Sequence, residues 1–469
     1  MRETQRIHFI GVCGTAMATV AALLKQHGHD VRGSDQHVYP PMSEFLVAEG
    51  IHTMVGFAAD HVSADIDLVV VGNAISRGNV ELEAVLEQRI RYCSLPEVIR
   101  DHFLWDSRPI VLAGTHGKTT TTSLTGWLLT HGQRDPMVLV GGIALNLGDR
   151  GSSYRLGAGG DFVIEGDEYD SAYFDKTAKF LKYLPEVAVV SNIEFDHADI
   201  YADLDAVRLA FRRLVNLVPR NGLLLLGADS PHAADLTEYA VSPVETFGTS
   251  IEATWRADAI EHGGGATRFT VHRRGEPFGR FESPLLGLHN VRNALAAIAV
   301  GSYVGLGASQ LAAGLRAFKG IRRRLEIIGV RGGVTVIDDF AHHPTAVRET
   351  LAALRMGYPS RRLWAVFEPR SASSCRRVFQ DDFARSFGAA DEVVIAGIFR
   401  SSLPESERLS AERLVDDLCT QSQRARHIPG TQDIVETIVS ERRDGDIVVL
   451  MSNGGFDGIH QKLLQALGG

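Results

Sequence analysis

Residues 110–113, Ile-Val-Leu-Ala, run directly into Gly114-Thr115-His116-Gly117-Lys118-Thr119-Thr120, and a helical pattern continues to about residue 130. A short apolar run closed by glycine and continued by a helix reads as a buried strand of a parallel sheet, because parallel neighbours are joined through crossover helices. The arrangement recurs. Residues 7–10 are apolar, Gly11 and Gly14 follow, and residues 16–26 place Met17, Val20, Ala21 and Leu24 on one helical face. Further strands are predicted at 31–33, 68–71, 162–165, 187–193, 223–226, 334–337, 363–367, 393–395 and 447–450. Helices are predicted at 204–218, 290–304, 345–354, 379–387, 411–418 and 459–467. The fold class expected is α/β with parallel sheets.

Polar interruptions at 105–109 and at Arg322-Arg323-Arg324 divide the pattern into domains at 1–107, 108–321 and 322–469, a number that 469 residues accommodate. The first and third read as Rossmann-like, the central one as a phosphate-loop domain. Residues 249–281 alternate and contain Gly263-Gly264-Gly265, which predicts hairpins at the edge of the central domain. A net charge of −9 without a long basic run argues against a nucleic-acid partner. Cys13, Cys93, Cys375 and Cys419 are dispersed and form no C-x-x-C pair, which fits a reducing compartment and supports neither disulfides nor a zinc site. The N-terminus has no apolar segment of secretory type, and no stretch approaches the roughly 20 residues of a membrane span, so the cytoplasm is the expected address.

The loop at 114–120 has the parts of a phosphate site. Glycines let backbone amides surround phosphate oxygens, Lys118 adds a mobile charge, Thr119 offers a hydroxyl to Mg²⁺, and the helix start adds its partial positive charge. The general phosphate-loop pattern would put its first glycine at 112, where this chain has Leu112, so the loop is a short form. The alternative is a solvated strand–helix turn. Two other strand ends carry chemistry. Glu165-Gly166-Asp167-Glu168-Tyr169-Asp170 is an acidic cluster at the carboxyl end of a strand, where open α/β sheets bind ligands. It offers hard oxygen ligands for a cation, or it is a solvated acidic loop. Asn192-Ile193-Glu194-Phe195-Asp196-His197 ends another strand, and its histidine is either structural or catalytic. Asn290 and Asn293 share one helical face, with simple N-capping as the alternative for Asn290.

The short loop resembles that of the Mur ligases and their folylpolyglutamate synthase relatives, and the resemblance extends over nearly the whole chain. It implies an ATP-dependent, ADP-forming ligase with a UDP-binding Rossmann-like first domain, a central ATP-binding domain and a Rossmann-like third domain that binds the incoming amine. By resemblance, Lys118, Glu165, His197 and Arg324 are catalytic. ATP is bound by Gly114, Thr115, His116, Gly117, Lys118, Thr119, Thr120, Asn290, Asn293, Arg324, Asp339 and His342. Mg²⁺ is held by Thr119, Glu165 and His197. In Asp338-Asp339-Phe340-Ala341-His342-His343 either aspartate and either histidine could be the inward member. The turn at Gly11, Cys13, Gly14, Thr15, Ala16 and Met17, with Ser34, Asp35 and Asn73, corresponds to the site for the UDP-sugar. Families of this type usually have alanine where Gly166 stands, and several carry a carbamylated lysine that the Ala210-Phe211-Arg212-Arg213 region lacks.

Two branches of the family start from UDP-N-acetylmuramate. One adds L-alanine, and the other adds the recycled tripeptide L-alanyl-γ-D-glutamyl-meso-diaminopimelate. Tyr39-Pro40-Pro41-Met42-Ser43, Gly72-Asn73-Ala74, Tyr169 with Phe174-Asp175-Lys176, Glu368-Pro369-Arg370-Ser371 and Met451-Ser452-Asn453-Gly454-Gly455-Phe456 resemble the second branch. Arg370, Ser452, Asn453 and Gly454 are then expected to grip the peptide. The L-alanine ligase is the nearest rival. A nicotinamide-dependent oxidoreductase built on the Gly11 turn, or a non-catalytic nucleotide-binding regulator, belongs to other classes.

Overall fold

The computed structural model describes residues 4–39, 42–399 and 403–468, so Pro40 and Pro41 of the Tyr39–Ser43 segment lie outside the described residues. Three sheets succeed one another along the chain. The first has five parallel strands in the spatial order His52–Val55, Asp30–Asp35, Arg6–Ile10, Leu68–Val71, Tyr92–Ser94. The chain leaves Arg6–Ile10 on one side and returns on the other, so a crevice opens at the carboxyl end of that strand. There Gly11 takes a left-handed φ of +86°, and the Gly11 and Val12 amides donate to the Ser34 carbonyl at 2.8 and 3.0 Å.

The second sheet has ten strands. Seven consecutive strands run parallel, with Arg108–Ala113 between Val187–Val190 and Asp161–Gly166. The alternating region forms an antiparallel meander, Trp255–Gly263, Ala266–Arg273 and Glu276–Ser283, at one edge. The helix after the glycine loop, Lys118–His131, is rich in threonine, a poor helix former whose hydroxyl competes for backbone bonds. Here Thr121, Thr122, Ser123, Thr125 and Thr130 each return the hydroxyl to the carbonyl four residues back, at 2.7–2.9 Å, so buried polar groups are satisfied inside the helix. Leu124, Leu128 and Leu129 then pack in one core with Ala294, Ala297 and Ile298 of the helix Leu288–Tyr303.

The third sheet runs Glu326–Arg331, Val334–Asp339, Ile447–Met451, Leu363–Phe367, Glu392–Ile395, Arg424–His427, parallel except for the first strand. The strand expected over 187–193 ends at Val190, because Ser191 onward leaves the sheet to make the site. The helix expected over 379–387 is only Gln380–Ala384.

Glu81 anchors the first sheet from below. It is fully buried and accepts from His8 Nε2 at 3.1 Å, Ser34 Oγ at 2.5 Å, His61 Nδ1 at 2.6 Å and the Ala58 amide at 3.2 Å. Burial opposes its ionisation, but the bonds from His8, Ser34 and His61 outweigh it and hold the carboxyl below its usual value of 4.5. That stabilisation is complete above the unfolded-state pKa and is lost as pH falls through the lower folded value. Glu81→Ala strands these donors and should cost about 3 kcal/mol. Thermal unfolding at neutral pH reads the loss, and an unchanged midpoint would show that the network is dispensable.

Candidate active site

Gly114 sits at φ +135°, and a side chain there would meet the Ser191 and Asn192 amides at 3.1 and 3.2 Å. Gly117, at φ +81°, leaves room for Asn293, whose Oδ1 would lie 2.5 Å from a Cβ. The loop between them is braced by the 192–197 segment. The Thr115 amide donates to the Asn192 carbonyl at 3.0 Å, the His116 amide to Asn192 Oδ1 at 2.8 Å, and the Glu194 amide to Thr115 Oγ1 at 2.9 Å. Asn293 holds the loop from beneath. Its Oδ1 accepts from Thr121 Oγ1 at 3.1 Å, and its Nδ2 donates to Asn290 Oδ1 at 3.1 Å. Asn290 is not the N-cap, a place taken by Gly287; its amide group donates to the Leu286 carbonyl at 2.8 Å.

Lys118 Nζ donates to the Gly114 and Thr115 carbonyls at 2.9 and 3.3 Å and pairs with both oxygens of Glu168, at 3.1 and 2.8 Å. On the far side of Glu168 stands His197, with Nε2 3.3 Å from Oε1. Burial opposes the charge on all three. The mutual pairing prevails, lifting Lys118 and His197 above their usual values and drawing Glu168 below its own. Glu165 accepts from Thr119 Oγ1 at 2.8 Å and from the Gly141 amide at 2.7 Å. Burial, then repulsion from Asp167, pushes its carboxyl up. A hydroxyl and a half-buried carboxylate whose charge is under-compensated form a hard-oxygen set that fits Mg²⁺. Thr119 and Glu165 are therefore joined directly to each other, and His197 is joined to Lys118 through Glu168.

The third domain closes over this edge. Arg324 reaches back to within 3.4 Å of Thr119 Oγ1 and stacks its guanidinium 4.8 Å from the centre of the Phe340 ring. Ser373 Oγ donates to Asp196 Oδ1 at 2.6 Å and accepts from the His197 amide at 3.1 Å. A cavity of about 270 Å³ remains at the joint, where Asp196, His197, His342, Arg370, Phe399 and Asn453 are among the lining residues. His342 is thus the cleft-lining histidine, while His343 packs on His116 with ring centres 4.6 Å apart.

Several expected contacts are placed differently. Asp339 has both oxygens engaged, by the Leu325 amide at 2.7 Å and by the Ala341 amide and Thr350 hydroxyl at 2.9 and 3.1 Å, so it ties the linker to the third domain rather than facing the cleft for a ribose. Asp338 points to the opposite face, toward Arg323 and His460. Ser34 is fully buried with its hydroxyl given to Glu81, so its side chain does not face the Gly11 crevice. Met17 is buried against Gly72, and a Cβ on that glycine would meet Met17 Cε at 3.5 Å. Gly14, Thr15 and Ala16 are exposed at the start of the helix Thr15–Gln26, which has no side-chain cap. Asp35 accepts the Cys13 amide at 2.9 Å, and Asn73 reaches Asp170 at 3.5 Å. Ser452 and Gly454 are held in the fold: Ser452 gives its hydroxyl to Glu368 at 2.5 Å, and Arg323 takes both of their carbonyls at 2.6 and 2.7 Å. Of the expected peptide residues, Arg370 and Asn453 line the cavity. Thr120 is buried on the helix side of the loop. Glu168 and Asn192 stand in strand-end runs that the sequence marks, without a role of their own there, and no sequence signal points to Ser373.

A phosphate loop at the carboxyl edge of a parallel sheet, with a carboxylate beside its threonine and an arginine reaching in from the next domain, defines a nucleotide-dependent enzyme of three α/β domains. The chain belongs to the Mur ligase family, a family of ATP-dependent amide-forming ligases. The Mur ligase family catalytic domain matches residues 6–104, the Mur ligase middle domain 112–301, and the Mur ligase glutamate ligase domain 323–454. It is 41% identical to the UDP-N-acetylmuramate–L-alanyl-γ-D-glutamyl-meso-2,6-diaminoheptandioate ligase of Escherichia coli, over 98% of each chain. Identity to the UDP-N-acetylmuramate–L-alanine ligase of Salinibacter ruber is 37%, over 96% of this chain and 92% of that one. The fold superposes on the crystal structure of a murein peptide ligase from Psychrobacter arcticus with a TM-score of 0.72 at 36% identity, covering 99% of both chains.

Gly117→Ala puts a methyl into Asn293 and a side chain into a left-handed φ. It should raise the KM for ATP at least about tenfold, a cost of about 1–3 kcal/mol in loop strain, while UDP-sugar binding is unchanged. An unaltered KM would show that the loop does not need this contact.

Proposed function

We propose that the protein joins UDP-N-acetylmuramate to L-alanyl-γ-D-glutamyl-meso-diaminopimelate at the expense of ATP, in the cytoplasmic recycling of cell-wall peptide. The observation that carries this reading is the full-length likeness to the E. coli ligase for that tripeptide, together with the joint cavity that Arg370 and Asn453 line next to His197. No helix among the described residues is long and apolar enough to cross a membrane. The division at 107/108 and 321/322 assigns the sugar nucleotide to the first domain, ATP to the second and the acceptor to the third.

In this reading the lactyl carboxylate attacks the γ-phosphorus of ATP, and ADP leaves. The alanine amine of the tripeptide then attacks the resulting acyl phosphate, loses a proton, and the tetrahedral adduct collapses to the amide with release of phosphate. Positioning and charge compensation are the protein's share. Lys118 has its three donors occupied by two carbonyls and Glu168, so a γ-phosphate competes with Glu168 for the ammonium. Arg324 adds a second positive charge beside Thr119. The exposed amides of Thr15 and Ala16 offer the sugar diphosphate an uncapped helix start. Thr119 and Glu165 would hold Mg²⁺, and His197 a further ion; bound there, Mg²⁺ neutralises phosphate charge. Arg370, stacked 3.6 Å from the centre of the Phe399 ring, offers a fixed cation to an acceptor carboxylate.

The second reading, an L-alanine ligase, is favoured by the likeness to the S. ruber enzyme. Phosphate release with UDP-N-acetylmuramate, ATP and either acceptor separates the two. The tripeptide should exceed L-alanine in kcat/KM by about 100-fold or more, since an acceptor that leaves charged groups of the site unpaired is strongly rejected. Equal or better use of L-alanine would overturn the assignment. Lys118→Ala should abolish phosphate release while the UDP-sugar still binds.

A further inference from the structure

Between the phosphate loop and the third domain lies a cluster whose side chains take no part in the chemical steps above, although His116 belongs to the ATP-binding loop by its backbone. His116 Nε2 is 3.1 Å from Glu194 Oε2, and His343 Nδ1 is 3.6 Å from the same oxygen. The three ligand-capable atoms fall within 4.8 Å of one another. Ligands about 2.0–2.1 Å from a tetrahedral ion stand about 3.3–3.4 Å apart, so the two measured separations bracket the edge of such a site. The side chains approach from three places: the phosphate loop, the 192–197 segment and the start of the third-domain helix Pro344–Gly357.

Ring orientation agrees with a metal. His343 Nε2 lies 3.2 Å from the Phe195 carbonyl, to which it donates, and this leaves Nδ1 proton-free and turned toward the carboxylate. A histidine ligand is ordinarily fixed in this way by the bond its other nitrogen makes. The Thr345 amide also reaches Nδ1, at a long 3.3 Å, a weak cap that an ion displaces at small cost. Thr345 Oγ1 donates to Glu194 Oε2 at 2.6 Å and orients the carboxylate. Two imidazoles and one carboxylate favour a borderline cation such as Zn²⁺ or Co²⁺ over Mg²⁺, which prefers oxygen alone.

We propose that His116, Glu194 and His343 form a transition-metal site with an open fourth position, and that a Zn²⁺-class ion bound there staples the third domain to the phosphate loop. The full-length protein, stripped of metal, is titrated with Co²⁺ and followed by its visible absorption. The intense bands of a four-coordinate ion should appear in the wild type and in Glu165→Gln, and be lost in His343→Gln and in Glu194→Gln. Zn²⁺ should raise the thermal midpoint of the wild type and leave that of both ligand variants unmoved. Removing a ligand should weaken binding by at least the roughly 10–100-fold that loss of a ligand's orienting partner costs. The proposal is overturned if the wild type gives no such bands, if they persist in the ligand variants, or if Glu165→Gln removes them and so places the ion beside Thr119. Should His343→Gln fail to fold, Glu194→Gln on the half-exposed side of the cluster decides alone.

Discussion

The pairing of Lys118 with Glu168 is the interaction on which the site depends. Burying an ammonium and a carboxylate together is unfavourable unless every remaining donor and acceptor is matched. Here the match is complete on the lysine: two loop carbonyls and one carboxylate take its three protons. The two carbonyls fix the loop's shape, and the carboxylate fixes the acidic strand end against it. Glu168 is only 2% exposed and shares its charge with His197, so a third strand end is drawn into the same network. Three loops that are remote in sequence thus meet at one buried charge pair. The phosphate of a nucleotide has a preformed cation to compete for, rather than a flexible side chain to capture.

The 192–197 segment serves both sides of the cleft. Its backbone and Asn192 hold the phosphate loop in place. Its other side chains receive the third domain, through Asp196 to Ser373, the Phe195 carbonyl to His343, and the Phe195 ring stacked 5.9 Å from Phe379. Docking of the third domain is therefore felt by the phosphate loop through this short stretch of chain, beside the direct contacts of His343 with His116 and of Arg324 with Thr119. The left-handed φ of His197 (+52°) fits this double duty, since a non-glycine residue holds that conformation only where surrounding bonds over-determine it.

What the sequence made legible was whatever lies along one element. The loop at 114–120 was readable because its glycines are required by contacts at fixed positions, and the central parallel strands were readable because burial on both faces makes them uniformly apolar, whereas the partly exposed parallel strands His52–Val55, Tyr92–Ser94 and Arg424–His427 were not. The strand Asp170–Ala172 and its partner Asp175–Ala178 carry no such pattern and went unread. Pairing across the chain was equally hidden. Nothing near Ser34 announces that Glu81 will claim its hydroxyl, and nothing in Met451–Gly454 announces that Arg323 will take its carbonyls. Residues grouped by motif were therefore assigned to ligands when several of them hold the protein to itself. Asp338 and Asp339 show the limit well. Strand alternation guarantees that they face opposite ways, but only the neighbouring linker determines which way is inward.

That linker also explains how an arginine belonging to the third domain's approach comes to lie beside Thr119. Arg323 and Leu325 both have positive φ, +60° and +51°, on either side of Arg324. Two such non-glycine residues so close together are costly, and the compensation is visible. The Arg323 amide donates to Glu326 and its carbonyl accepts the Phe340 amide, while the Leu325 amide donates to Asp339. All of these partners belong to the third domain. The kink therefore persists only while the third domain's first two strands hold it, and it is the kink that turns the Arg324 side chain toward the central domain. Asp339, expected to touch the nucleotide, acts one step removed: it shapes the backbone that aims the cation at the phosphate loop.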